Sequence, residues 1–194
     1  SDLLSQDGIE DAEFVDLDGD GLIDIVSCAE AGGWMAGKVG SWGAGFVRLH
    51  FAPGNMFDEW TTLELLEGVG KWMASSSTDV DGDGRTDVIV GAKESPVSVA
   101  VLKQGSDARD PTQWSYIPIS SSIEERWVMS LAAHDIDGDG LVDAVVSFRG
   151  TKDGPGVFWL ENPGVLDGSD WPHHRMLGDV SMRVMMLDLV DLYG

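Results

Sequence analysis

Three stretches of the chain carry the same acidic spelling, Asp-x-Asp-Gly-Asp-Gly-x-x-Asp. They begin at Asp16, Asp79 and Asp135 and place carboxylates at Asp16, Asp18, Asp20 and Asp24, at Asp79, Asp81, Asp83 and Asp87, and at Asp135, Asp137, Asp139 and Asp143. Two unit charges about 4 Å apart repel by roughly 1 kcal/mol in water and about 4 kcal/mol at a protein-like effective dielectric. Four such groups in nine residues therefore call for a cation between them. Oxygen ligands on a flexible, glycine-rich loop suit a hard ion with irregular coordination, which favours calcium over magnesium. By analogy with other acidic calcium loops, positions 1, 3, 5 and 9 supply carboxylates. Position 7, here Leu22, Arg85 and Leu141, supplies a backbone carbonyl. The expectation is about three Ca2+ ions, one per loop.

An EF-hand starts the same way but needs a bidentate Glu at position 12 and flanking helices. Position 12 here is Ser27, Val90 and Val146, and none can clamp an ion. The residues after each loop, such as Val88-Ile89-Val90, are apolar and β-branched and read as a buried strand. The EF-hand is excluded.

The loops recur with a period of about 60 residues, the mark of an array or a propeller. Other features fall into step with them. A strand-like stretch precedes each loop (Ile9 to Val15, Trp72 to Thr78, Trp127 to His134), and Arg183 to Leu187 offers a fourth. After the apolar run come Gly45 to Phe51, Val97 to Leu102 and Gly156 to Leu160. Then Trp60, Trp114 and Trp171 each announce a last strand. Four short strands per unit is the content of a propeller blade. The fold class expected is all-β, a propeller segment of three four-stranded blades plus one extra strand, with the acidic loops between the first and second strands of each blade. The whole of 1–194 reads as one segment, with repeats at about 8–70, 71–125 and 126–180 and a truncated repeat at 181–194. Three blades do not close a ring, so the partners expected are further blades of a longer chain or a second copy.

The loops resemble the FG-GAP/VCBS repeats of calcium-stabilised β-propellers, found in integrin α-subunit heads and many secreted bacterial proteins. Gly156-Val-Phe-Trp-Leu-Glu-Asn-Pro-Gly164, followed by Trp171 and His174, is similar to the blade ending of the bacterial and fungal branch. The resemblance implies that each loop joins the innermost strand of a blade to the next. It also implies a binding or scaffold role on an extracellular, periplasmic or cell-surface protein, with a carbohydrate or protein ligand. Similar propellers occur in sugar-converting enzymes, so an enzyme piece is the alternative, and a structural spacer is a third. Tyr193 departs from the pattern: it stands where a loop at Asp191 would need its second Asp.

Composition narrows the partners. Thirty-four acidic residues against 12 basic ones give a formal charge of −22, which excludes nucleic acid and anionic membrane as natural partners. No stretch reads as a membrane span. Cys28 is the only cysteine and closes an apolar run, so it reads as a buried thiol. Acidic calcium loops stay filled where calcium is plentiful, which again points outside the cytoplasm.

Few other residues offer chemistry. The glycine-rich stretch Ala31 to Gly45 departs most from the repeat. Its Trp34 and Trp42 could stack on a sugar ring, or could plug a neighbouring blade. His173 and His174 are neighbours on a strand and point to opposite faces, so they do not share an ion. One of the pair is expected buried against Trp171, and Trp72 and Trp127 are expected in the core or lining the channel. His134 is expected beside the third loop, and His50 has no evident partner. Glu30, Glu94, Glu124, Glu125 and Glu161 form no pair that sequence can join. No Gly-x-Ser-x-Gly elbow and no His-Glu-x-x-His helix occurs, so no catalytic set is assigned.

Overall fold

The computed structural model describes residues 8–30, 45–55, 57–67, 70–93, 95–121, 127–149, 155–177 and 184–190. Among the described residues, twelve strands form three antiparallel four-stranded sheets, each in simple up-and-down order. The first holds β1 (Gly8–Val15), β2 (Asp24–Glu30), β3 (Phe46–Phe51) and β4 (Thr61–Glu67). The second holds β5 (Lys71–Thr78), β6 (Asp87–Lys93), β7 (Val97–Gln104) and β8 (Trp114–Ser121), with a 3-10 turn at Pro111–Gln113 before β8. The third holds β9 (Val128–His134), β10 (Asp143–Phe148), β11 (Gly156–Leu160) and β12 (His173–Leu177). These are the blades of a β-propeller. No described helix is long and apolar enough to cross a membrane.

The apolar run after each loop is explained by what lies on either side of it. Alternate side chains of a strand face opposite ways. In β6, Val88 and Val90 pack with Val26, Val47, Leu49 and Phe51 of the first sheet. Ile89, between them, packs with Val146, Phe148, Phe158 and Leu160 of the third. The middle sheet is buried on both faces, so its second strand has no polar side to show. Burying one such side chain is worth about 1.5–3 kcal/mol, and these contacts hold the blades together. Gly91 is required by close approach: a Cβ there would lie 2.4 Å from Val128 Cγ1.

The inner strands are also tied across sheets by polar bonds. Asp11 accepts from Ser75 N (2.7 Å) and Ser75 Oγ (3.2 Å), and Glu13 from Ser77 Oγ (2.7 Å). Burial pushes the Glu13 carboxyl up, against the pull of its bonds to Ser77. The inner strands and residues 186–189 line a cavity of ≈ 540 Å³.

The described residues decide several smaller expectations. Arg183 to Leu187 is expected to form an innermost strand, yet 184–187 carry no strand pairing, and Arg183 lies outside the described residues. In the three sheets the innermost strand pairs with the one after its loop, and 184–190 have no such neighbour among the described residues. Leu187 N–H instead reaches Ser130 Oγ at 3.4 Å. His50, without an evident partner in sequence, bonds Ser27 Oγ through Nε2 and Thr62 Oγ1 through Nδ1, both at 2.9 Å. His134 is exposed. His174 stacks on Trp159 (4.5 Å between centroids) and bonds Glu161 Oε2 at 2.6 Å. Trp72 is fully buried in the core, whereas Trp127 lies half-buried under Lys93 and Arg149.

Candidate metal centres

Each acidic loop connects the first strand of its blade to the second, β1 to β2, β5 to β6 and β9 to β10. The turn is tight because two glycines per loop adopt the left-handed backbone conformation, for example Gly82 at φ 75° and Gly84 at φ 84°. Position 1 then folds the loop around itself. Asp79 Oδ1 accepts from Gly82 N (2.8 Å) and Oδ2 from Gly84 N (2.8 Å). Asp16 repeats this with Gly19 and Gly21, and Asp135 with Gly138 and Gly140. Position 5 caps the exit. Asp20, Asp83 and Asp139 each accept the amide N–H of position 7, at 2.8, 3.0 and 2.8 Å.

Position 9 has a different environment. Asp24, Asp87 and Asp143 are buried, at 0, 0 and 1 % exposure. Each bridges two backbone amides from separate parts of its blade. Asp24 takes Leu17 N and Ala52 N, Asp87 takes Val80 N and Gln104 N, and Asp143 takes Ile136 N and Asn162 N, all within 2.8–3.1 Å. The ninth aspartate thus fastens the loop to the end of the third strand or the turn that follows it. Burial pushes the Asp87 carboxyl up to about 6, against the pull of its two amide bonds, with Asp83 and Asp79 adding repulsion. Asp24 shifts upward for the same leading reason.

Positions 1, 3 and 9 converge in all three loops. Oxygens of Asp16, Asp18 and Asp24 lie within 4.8 Å of one another, as do those of Asp79, Asp81 and Asp87 and those of Asp135, Asp137 and Asp143. Calcium binds oxygen at about 2.3–2.6 Å, so two ligands of one ion lie no more than about 5 Å apart. The three carboxylates fit that limit. Asp20, Asp83 and Asp139 stand outside the converging groups, occupied by their turn bonds. Leu22, Arg85 and Leu141 occupy position 7, where their amides anchor the turn. Trp34 and Trp42 lie outside the described residues.

Basic side chains approach two of the loops. Lys103 Nζ pairs with Asp81 and lies 3.4 Å from Asp83, and Arg85 folds back on Asp83. Arg109, carried by the second blade, reaches across to the first loop, with Nε 2.5 Å from Asp18 and Nη2 3.4 Å from Asp20. Its guanidinium rests over the Phe51 ring at 4.7 Å. Asn162 plays the corresponding cross-blade part further on. Its Nδ2 donates to Val80 O in the second loop (3.1 Å) and to Val142 O (2.9 Å). Of these, Lys103, Arg109 and Asn162 were not singled out from sequence as touching a loop. The available signal was position: Lys103 lies opposite the ninth aspartate of its loop, and Asn162 one residue beyond the equivalent position in its own blade.

Two overlapping matches to the FG-GAP-like repeat cover residues 16–90 and 79–146, each running from the start of one acidic loop through the next. The chain belongs to the FG-GAP-like repeat family. No curated protein gives a significant match to it. Each match runs from one acidic loop across the remaining strands of its blade and into the second strand of the next, so loop, repeat and sheet share one period.

Proposed function

We propose that this FG-GAP chain is a calcium-stapled propeller segment that serves as a binding or scaffold module on an extracellular surface. The observation that carries the reading is the convergence of the same three carboxylates in three separate loops. Each loop would hold one ion, with positions 1, 3 and 9 as core ligands and positions 5 and 7 completing the shell. Calcium supplies the positive charge that lets these aspartates coexist, and because it binds the folded loop it favours the folded state. Loop-filled propellers of this kind suit calcium-rich surroundings, consistent with the surface-protein character of FG-GAP repeats.

The ligand we propose is a carbohydrate or a protein, held by the loops between strands, with Trp34 and Trp42 as the contact residues. Exposed apolar side chains support a further blade or second copy against the segment's ends. Phe14 is 69 % exposed on the first sheet, and Leu177 and Val190 are 62 and 67 % exposed at the other end.

Native mass spectrometry in calcium and after chelation tests the metal reading. Three ions per chain, lost together with resistance to urea, are expected. No bound ion at millimolar calcium would overturn it.

A further inference from the structure

The three loops share a spelling but not a charge environment. Three equivalent residues decide the difference, each lying across the ladder from a ninth aspartate and just before the residue whose amide that aspartate accepts. In the second blade this residue is Lys103, in the first Phe51, in the third Glu161. Lys103 places a cation on Asp81 and Asp83, and Arg85 at position 7 places another on Asp83. Phe51 carries no charge, yet its ring is the platform on which Arg109 of the neighbouring blade reaches Asp18 and Asp20. Glu161 adds a carboxylate and turns to His174. At the places of Arg85 and Lys103 the third loop has Leu141 and Glu161, neither of them basic. With Lys103, Arg85 and Arg109 counted, the second loop holds about two net negative charges, the first about three and the third about four.

We propose that Lys103, Arg85 and Arg109 are built-in counter-ions that make the metal sites unequal, so that the third loop fills at the lowest calcium concentration, the first next and the second last. This rests on the calcium reading above. A fixed positive charge a few ångströms from a divalent ion repels it, and calcium sites are tuned over decades of affinity by the charge around them. Each counter-ion removed should tighten its loop about tenfold. The same groups serve the metal-free protein, where they neutralise aspartates that otherwise repel. Arg109 adds a link between blades: the first loop is neutralised only while the second blade is seated against it.

The test is stepwise calcium loading of the intact chain, followed by native mass spectrometry at controlled free calcium, with melting in chelator measured alongside. In the parent chain three resolved steps are expected, and Asp137→Ala should delete the one at lowest calcium. Lys103→Met should move the last step to about tenfold lower calcium while lowering the melting temperature in chelator. A merely structural lysine would weaken both binding and melting. Glu161→Lys transplants the counter-ion and should push the first step to higher calcium, which guards against Lys103→Met simply loosening the blade. Three equal steps that Lys103→Met and Glu161→Lys leave in place would overturn the inference while leaving the metal reading standing. No ion in any chain would remove the metal reading and this inference with it.

Discussion

The third and ninth aspartates of a loop should fail in different ways when removed, and the third blade gives the cleanest comparison. Asp143 is 1 % exposed and accepts Ile136 N at 2.9 Å and Asn162 N at 2.8 Å. Asp143→Ala strands the buried Asn162 amide and the part-buried Ile136 amide. An orphaned buried polar group costs about 1–3 kcal/mol, so the substitution should cost at least about 1–3 kcal/mol whether or not calcium is present. Asp137 is exposed, and its one bond, from Asp139 N at 3.1 Å, is readily replaced by water. Asp137→Ala should therefore cost nothing measurable in chelator, and relief of repulsion from its neighbours should make it neutral to slightly stabilising. In calcium both variants lose the ion. At a concentration one hundred times the dissociation constant that loss is worth about 2.7 kcal/mol. Asp143→Asn keeps one acceptor oxygen and should fall between. Urea unfolding in calcium and in chelator, with linear extrapolation, measures all of these. Equal costs for Asp137→Ala and Asp143→Ala in chelator would refute the reasoning, because it would mean that the ninth aspartate does no fastening of its own.

Three further expectations follow from the packing. Gly91→Ala forces a Cβ to within 2.4 Å of Val128 Cγ1 between the second and third sheets, and should cost about 1–3 kcal/mol in urea unfolding. Cys28 is fully buried and its thiol is pushed up to about 12 by that burial, so a thiol reagent at pH 8 should modify it only after denaturant is added. Burial first, and then Arg48, hold the pKa of His50 below the ordinary histidine value of about 6.5. The unfolded chain therefore binds the proton first. The contribution of His50 is complete above about pH 6.5 and is lost as pH falls through the lower folded value, a slope that His50→Gln should flatten in melts below pH 6.5.

The strands were legible because each rests on a local signal: period-two alternation, a glycine turn, or the loop itself. The spelling of the loops also placed each acidic loop between the first and second strands of its blade. What escaped depends on contacts that no local window contains. Arg109 meets Asp18 across 91 residues and Asn162 meets Val80 across 82, and in both cases the docking of one sheet on the next creates the contact. The strand expected at 183–187 shows the converse. Its residue types suit a strand, but a strand is defined by hydrogen bonds to a neighbour, and residue type does not supply one.

The same limit explains His50, and it separates the first blade from the others. Position for position, Ser27 and His50 occupy the places of Val90 and Leu102 in the second blade and of Val146 and Leu160 in the third. Those four apolar residues are buried in the cores between sheets. In the first blade the corresponding face carries Ser27, His50 and Thr62 bonded in a row, with Arg48 paired to Glu64 at 2.6 Å beside them. A buried polar group is tolerable when its partners are in place, and here those partners lie within the same sheet. A sheet that seats on this face would gain apolar burial from the exposed Phe14 and little from the polar row, whose bonds are already made. Replacing Ser27 and His50 with Val and Leu, the residues at those positions in the next blade, should therefore leave the chain folded but raise its self-association through this face. Sedimentation at increasing concentration would show that gain. Unchanged sedimentation would mean that the polar row does not limit association through this face.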